Sequence, residues 1–265
     1  MDPIKVVVHG ALGKVGREVV NALCTDDEVQ MVGAVDLNAA ADSLPLPDGS
    51  GEVPFSKDLA TVLDSCQPDV IVDFSVAKAV MPAVRTAAGR GVNLVIGTTG
   101  LSADERGEME KLANDNNIGI IMAPNFALGA VLMMHLSKIA AKYMDYAEII
   151  ELHHDKKADA PSGTALMTAR EMAATRGKPF LRAEGAKDSK SRGEEVEGVS
   201  VHSVRLPGLM AHQEVILGTA GQTLSIRHDT INRECYMPGV MLAVKEVVKR
   251  QGLTYGLDTL LNLQG

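Results

Sequence analysis

The sequence predicts an α/β chain built on a doubly wound parallel sheet, followed by a second region of different texture. Three observations predict it. Short β-branched runs alternate with longer amphipathic stretches over the first ~125 residues. Those runs have few polar interruptions, which suits strands buried on both faces of a parallel sheet. From Phe126 onward the strand-like runs alternate apolar and polar residues, as in a sheet whose two faces meet different surroundings.

In the first region strands are read at residues 4–8, 29–35, 69–74, 92–96 and 118–122. Helical periodicity falls between them at 15–24, 77–90 and 103–116. Strand, helix, strand repetition calls for right-handed crossovers. A long helical stretch at 127–143 then leads to a strand at 147–153 and a helix at 163–176. The polar stretch 185–198, rich in Lys, Ser, Glu and Gly, reads as a mobile loop. Strand-like runs follow at 199–205, 213–217 and 223–227. The last helix, 238–250, has Pro238 and Gly239 at its start and Gly252 just past its end.

Composition narrows the function. Lys and Arg number 26 against 34 Asp and Glu, a net charge of −8. That balance argues against a nucleic-acid binder or a protein lying on anionic membranes. It leaves a small anionic substrate open, since that needs only a local basic cluster. With 46% apolar residues the chain is no disordered segment. Apolar runs such as 118–123 are too short to span a bilayer. Residues 1–5 run straight into a strand without the features of a signal peptide, so a cytoplasmic protein is expected. Cys24, Cys66 and Cys235 are too dispersed for a disulfide framework or a zinc site and read as buried, reduced thiols.

The first chemical signal is Gly10-Ala11-Leu12-Gly13-Lys14-Val15-Gly16, a Gly-x-x-Gly-x-x-Gly turn between a strand and a helix. Glycines there permit a tight turn and close approach of backbone amides to a pyrophosphate, and the helix adds its positive end. Asp36 closes the second strand, where a carboxylate would bond a ribose hydroxyl. A purely structural turn is the alternative. Gly97-Thr98-Thr99-Gly100 and Ala123-Pro124-Asn125-Phe126 follow two further strands. In open α/β sheets, ligands sit outside the carboxyl ends of the strands. Asn125 offers an amide that could orient a carboxamide.

The second signal is the segment from Glu151 to Ala165, with His153, His154, Lys157, Asp159 and Pro161-Ser162-Gly163-Thr164. The last four residues lead into a helix, so their amides and hydroxyls make an anion cradle. A zinc site with Asp155 or Asp159 as third ligand is one alternative. It is weakened because adjacent histidines on a strand point to opposite sides. A solvated charged loop is another. The remaining reading is a carboxylate-substrate site, with one His as proton donor and Lys157 as cation.

This segment resembles the signature of the dihydrodipicolinate reductase family, and the resemblance runs over essentially the whole chain. It includes the glycine turn, Asp73-Phe74-Ser75, the Gly-Thr-Thr-Gly and Ala-Pro-Asn-Phe loops, and Ile226-Arg227-His228-Asp229. The resemblance implies a Rossmann-type dinucleotide-binding domain, residues 1–125 and 237–265. A smaller α+β domain, residues 126–236, would bind substrate and build a homotetramer. His153 matches the proton donor/acceptor and Lys157 the second catalytic residue. His154, Gly163 and Thr164 match substrate-binding positions. Gly10, Ala11, Leu12, Gly13, Lys14, Val15, Asp36, Gly97, Thr98, Thr99, Ala123, Pro124, Asn125 and Phe126 match cofactor-binding positions, for NADPH, NADH or both. No metal is implied. The substrate would be a cyclic dicarboxylate with a conjugated imine, reduced on the route to lysine and diaminopimelate. The compartment would be the cytoplasm, or the plastid stroma in a plant.

Two departures stand out. Many members follow the acidic residue of the second strand with Arg, whereas Leu37 follows Asp36 here, which removes a 2′-phosphate partner. The stretch from Arg205 to His212 also differs from the usual pattern and looks closer to photosynthetic-lineage members. Finally, alternation at Val199, Val201, Val215, Leu217, Leu224 and Ile226 suggests an apolar sheet face that needs a second copy of the chain to cover it. Hinges are expected near Phe126 and Tyr236.

Overall fold

The structure, a computed structural model, describes residues 2–183 and 190–263. The chain divides into two compact units, Met1–Leu128 with Arg233–Gly265, and Gly129–Asn232.

The first unit begins with β1 (Ile4–His9), α1 (Lys14–Leu23), β2 (Val29–Val35), β3 (Ser43–Pro45), β4 (Glu52–Ser56) and α2 (Leu59–Cys66). It continues with β5 (Val70–Asp73), α3 (Ala77–Ala88), β6 (Asn93–Ile96), α4 (Ala103–Asp115) and β7 (Gly119–Met122). The second unit holds α5 (Leu128–Ala141), β8 (Tyr146–His153), α6 (Gly163–Arg176), β9 (Glu194–Val196), β10 (Val199–Arg205), β11 (Ala211–Thr219) and β12 (Gln222–Thr230). The chain then returns to the first unit as α7 (Met237–Val247), β13 (Gly252–Tyr255) and α8 (Leu257–Leu260).

The first sheet runs β13-β7-β6-β5-β1-β2-β4-β3. Every pair in it is parallel except the β3–β4 edge. Val7, Ile71, Leu94, Ile96 and Ile120 share a core with α2, α3 and α4. Val6 and Val8, which alternate with Val7, are equally buried, so both faces of β1 are covered. Helix α1 packs against α7. From β1 the chain first builds outward through β2, then returns to place β5 on the other side of β1. That reversal opens a crevice at the carboxyl ends of β1 and β5.

Strands β3, β4 and β13 and helices α2 and α8 are additions to the sequence reading. The last long helix stops at Val247 rather than 250, because Gly252 opens a parallel strand beside β7. The three cysteines are each half-buried rather than buried.

The second sheet runs β12-β11-β8-β10-β9. Its central strand β8 pairs parallel with β10 and antiparallel with β11. Two expectations are corrected here. Part of the stretch read as a mobile loop is a strand: β9 pairs antiparallel with β10 through Val196 and Val199, closed by a tight turn at Glu197-Gly198. Residues 185–189 of that stretch lie outside the described residues. The second correction concerns the apolar face. Val199, Val201, Val215 and Leu217 are fully buried against Met133, Met134 and Ala141 of α5 and Ala165, Ala169 and Met172 of α6. Ile226 packs on the same cluster, while Leu224 is partly exposed. Two helices rich in Ala and Met lie close enough to cover that face within one unit. The alternate positions carry charge instead. Glu148 accepts from His202 (2.9 Å) and pairs with Arg192, and Arg227 pairs with Glu214 (3.3 Å). Among the described residues no helix is long and apolar enough to cross a membrane.

Candidate active site

The predicted cofactor residues gather at the carboxyl edge of the first sheet. Gly10 sits at φ +85°, and a methyl group there would lie 2.7 Å from the Phe74 carbonyl oxygen. A methyl at Gly16 would lie 2.0 Å from the Gly10 carbonyl, so α1 meets the turn only because Gly16 lacks a side chain. Gly13 ends the turn with its amide on the Gly10 carbonyl (3.0 Å) and offers no side-chain cap to α1. The first-turn amides at Lys14, Val15 and Gly16 are therefore left to an incoming anion. Lys14 itself is exposed at that helix end.

Asp36, 8% exposed, holds this turn from β2. Its Oδ2 accepts from the Leu12 amide (3.0 Å) and its Oδ1 from the Asn38 amide (2.9 Å). Oδ1 takes a second bond from Asn38 Nδ2 (3.1 Å), so Oδ2 is the oxygen that keeps a lone pair for a ribose hydroxyl. The Gly97 loop fits closely under Phe74, since a methyl at Gly97 would meet the ring at 2.1 Å. Thr98 is buried and donates to Asp73 (2.7 Å), whereas Thr99 is exposed. Ala123 and Phe126 are buried, Phe126 edge-on to Phe74 with ring centroids 5.7 Å apart. Pro124 is exposed. Asn125 Oδ1 already accepts from the Ala127 amide (2.9 Å), so its contribution to a ligand is the amide nitrogen.

Asp73 is the hub that sequence reasoning quoted but gave no role. It is fully buried at the end of β5. It accepts from His9 Nδ1 (2.6 Å), the Ser75 amide (3.0 Å) and hydroxyl (2.9 Å), and Thr98. Burial alone would raise its carboxyl. The hydrogen bond and charge of His9, with the Thr98 and Ser75 donors, outweigh that and hold it below the usual range.

The second set of site residues lies where β8 runs into α6. His153, the last residue of β8, falls on the helix-covered side with Ile149 and Glu151, and His154 lies just past the strand end. Both rings are half-buried. His153 Nδ1 donates to Glu151 Oε2 at 2.5 Å. Ser162 caps α6 through the Ala165 amide (3.2 Å). Gly163 is exposed at the first turn, with nothing near the position a methyl would take, and Thr164 follows half-buried. Lys157 Nζ lies 2.7 Å from Asp159 Oδ1. The Lys157 hydrogen bond holds the Asp159 carboxyl below its usual range, and the Gly163 amide acts in the same direction. The chain's own carboxylate thus pairs with the cation that the sequence suggested for a substrate carboxylate.

Glu151 and Arg205 are the residues whose contribution the sequence did not reveal. Glu151 is completely buried, and Arg205 clasps it through Nη1 to Oε2 (2.8 Å) and Nη2 to Oε1 (2.7 Å). The Ser162 amide adds a bond to Oε1 (3.1 Å). Burial pushes the Glu151 carboxyl up, but the bonds from His153 and Arg205 prevail and bring it down to about 2. No signal in the sequence joins residues so far apart. The sheet does, by pairing β8 with β10 so that Arg205 lies opposite His153.

Comparison with known proteins places these two sets of residues in one family. The sequence model of the dihydrodipicolinate reductase N-terminus matches residues 4–126, and that of the dihydrodipicolinate reductase C-terminus matches 129–261. A protein of Dehalococcoides mccartyi named 4-hydroxy-tetrahydrodipicolinate reductase is 60% identical over 263 residues, covering 99% of this chain and 100% of its own. The protein of that name from Moorella thermoacetica is 47% identical, covering 97% and 98%. Among solved structures, a dipicolinate-bound dihydrodipicolinate reductase from a Paenisporosarcina species matches with TM-score 0.87 and 37% identity, over 97% of this chain and 99% of that one. An amine dehydrogenase from Mycobacterium smegmatis, 18% identical with TM-score 0.66, shares the fold alone. The chain belongs to the dihydrodipicolinate reductase family.

Proposed function

We propose that this chain reduces 4-hydroxy-tetrahydrodipicolinate, by way of dihydrodipicolinate, to tetrahydrodipicolinate with NADH or NADPH, a step of lysine and diaminopimelate synthesis. The observation that supports the reading is the single connection from β8 to α6, which carries His153, Lys157, Gly163 and Thr164. It joins a proton carrier, a cation and an anion cradle in one connection. Relatives bearing that name match the chain from end to end.

The crevice of the first unit suits a dinucleotide. Its turn admits no side chain at Gly10 or Gly16, and the helix start has no side-chain cap. Gly10 to Val15 would receive the pyrophosphate, Asp36 the adenosine ribose, and Gly97, Thr98 and Thr99 with Ala123 to Phe126 the nicotinamide end. When bound, the dinucleotide supplies the hydride. The remaining work falls to the second unit. Lys157 and the Gly163 and Thr164 amides hold a substrate carboxylate, displacing Asp159, and His154 lines the same pocket. His153 then gives a proton to the enamine-like carbon or nitrogen formed on reduction. The dipicolinate bound by the Paenisporosarcina enzyme is a ring dicarboxylate, and that ligand class suits this site.

Asp36 favours a ribose diol, while Lys14 can pair with a 2′-phosphate, so both cofactors are expected to serve. The protein is expected to act in the cytoplasm as a homotetramer assembled through the open face of the second sheet. Light scattering at micromolar concentration tests this, since a mass near 28.1 kDa would mean a monomer. The activity is tested by adding freshly generated 4-hydroxy-tetrahydrodipicolinate to the purified protein with each reduced cofactor. Cofactor oxidation that depends on the heterocycle supports the assignment, and its absence with both cofactors overturns it.

A further inference from the structure

We propose that Glu151 and Arg205 are positioning residues for this reduction, fixing the ring of His153 and the nitrogen from which it gives its proton. The inference rests on the reading of His153 as proton donor.

A fully buried carboxylate is costly unless its charge and lone pairs are met. Around Glu151 they are met completely. Oε1 takes Arg205 Nη2 and the Ser162 amide, and Oε2 takes Arg205 Nη1 and His153 Nδ1. An ionised carboxylate can only accept, so the hydrogen between Glu151 and His153 belongs to Nδ1. The neutral ring therefore carries its one hydrogen at Nδ1, and any proton it gains or loses in turnover is at Nε2. Buried carboxylates that orient a catalytic histidine in this way are worth orders of magnitude in rate.

Arg205 has a separate task. A proton donor must pass through its neutral form each cycle. If His153 were the sole counter-charge, losing its proton would strand a buried anion. The two-pronged bond from Arg205 keeps Glu151 neutralised in both states of the ring. The same guanidinium donates Nη2 to the Asp159 carbonyl (2.6 Å), so it also ties down the loop that carries Lys157. This gives a role to the first residue of the divergent 205–212 stretch.

The test uses the purified full-length protein and steady-state kinetics. Wild-type turnover, and its loss in His153→Ala, come first; if either fails, the reading of the site falls and not this inference alone. Glu151→Gln keeps the shape and removes the charge. It should lower kcat about 10²–10⁴-fold, with KM for the heterocycle and the cofactor within about threefold. In the His153→Ala background the same substitution should cost no further kcat, because its effect passes through His153. A structural role would lower both backgrounds alike, and that result overturns the proposal. So does a Glu151→Gln enzyme with kcat within about threefold of wild type. If Glu151→Gln fails to fold, Glu151→Gln with Arg205→Met removes both buried charges together. That folded double variant should show the same kcat loss, and wild-type turnover in it overturns the proposal.

Discussion

Each unit contains one fully buried carboxylate hydrogen-bonded to a histidine Nδ1, Asp73 to His9 at 2.6 Å and Glu151 to His153 at 2.5 Å. The pairs look alike but their surroundings differ. The other groups bonded to Asp73 are the Ser75 amide and hydroxyl and the Thr98 hydroxyl, all uncharged. Glu151 is gripped by the Arg205 guanidinium. Asp73 thus serves as a tie between the carboxyl ends of β1, β5 and β6, and His9 is part of the frame. Glu151 is neutralised independently of its histidine, so His153 is free to exchange a proton. A carboxylate–histidine pair is a structural strut or a proton-handling device according to what else meets the carboxylate.

The sharpest way to break the comparison is to remove each histidine in turn. His153→Ala should lower kcat about 10²–10⁴-fold with little change in cofactor KM. His9→Ala should instead act on stability, since it leaves a buried acceptor short of a partner, at a cost of about 1–3 kcal/mol. Thermal melts and steady-state kinetics on both variants decide it. A His9→Ala enzyme that melts like wild type, or loses kcat as His153→Ala does, would erase the distinction.

Acid should reach both carboxylates. Each is held below its ordinary value in the folded protein, so each stabilises the fold above the ordinary carboxylate range. That stability is lost as pH falls toward the folded value. For Glu151 the window runs from 4.5 down to about 2. The fall of Tm with acid over this window should be shallower in Glu151→Gln than in wild type. Equal slopes would mean that Glu151 is not held ionised by its partners.

The two units also differed in how far they could be read beforehand. The dinucleotide crevice was legible because its requirements are local. Gly10, Gly13 and Gly16 are spaced along one turn, and Gly10 and Gly16 exclude a methyl group for reasons within a few residues or one adjacent strand end. The parallel strands were legible as β-branched runs buried on both faces. Strands β3 and β4 were not, since 43–45 and 52–56 are short and each contains a proline. Strand β13 was hidden behind Gly252, whose place after a helix reads equally well as a stop. In the second unit the residue types were legible but their partnership was not. Glu151 and Arg205 are 54 positions apart, and only the β8–β10 register joins them. The same limit misdirected the face argument. Alternation at Val199, Val201, Val215 and Leu217 correctly marks one buried face but does not say whether α5 and α6 or another subunit covers it.

A smaller effect sharpens the contrast on the cofactor side. Lys14 is exposed at the uncapped start of α1, and Asp36 faces the same turn through the Leu12 amide. If Lys14 meets a 2′-phosphate, Lys14→Ala should raise KM for NADPH about three- to tenfold and leave NADH nearly unchanged. Equal changes for the two cofactors would place Lys14 away from the 2′ position.

The smallest expected effect concerns Asp159, and it runs in the direction of improvement. Its carboxylate pairs with Lys157, the cation proposed to hold a substrate carboxylate. On that proposal, substrate has to displace it. The Asp159 side chain is 56% exposed, and so open a pair is weak, which suits a placeholder better than a lock. Asp159→Asn removes the competing charge but keeps the backbone carbonyl that Arg205 holds. KM for the heterocycle should fall about 1.5- to 5-fold with kcat unchanged, and the gain should shrink as salt screens the pair. If KM rises instead, Asp159 is orienting Lys157 for the substrate rather than competing with it.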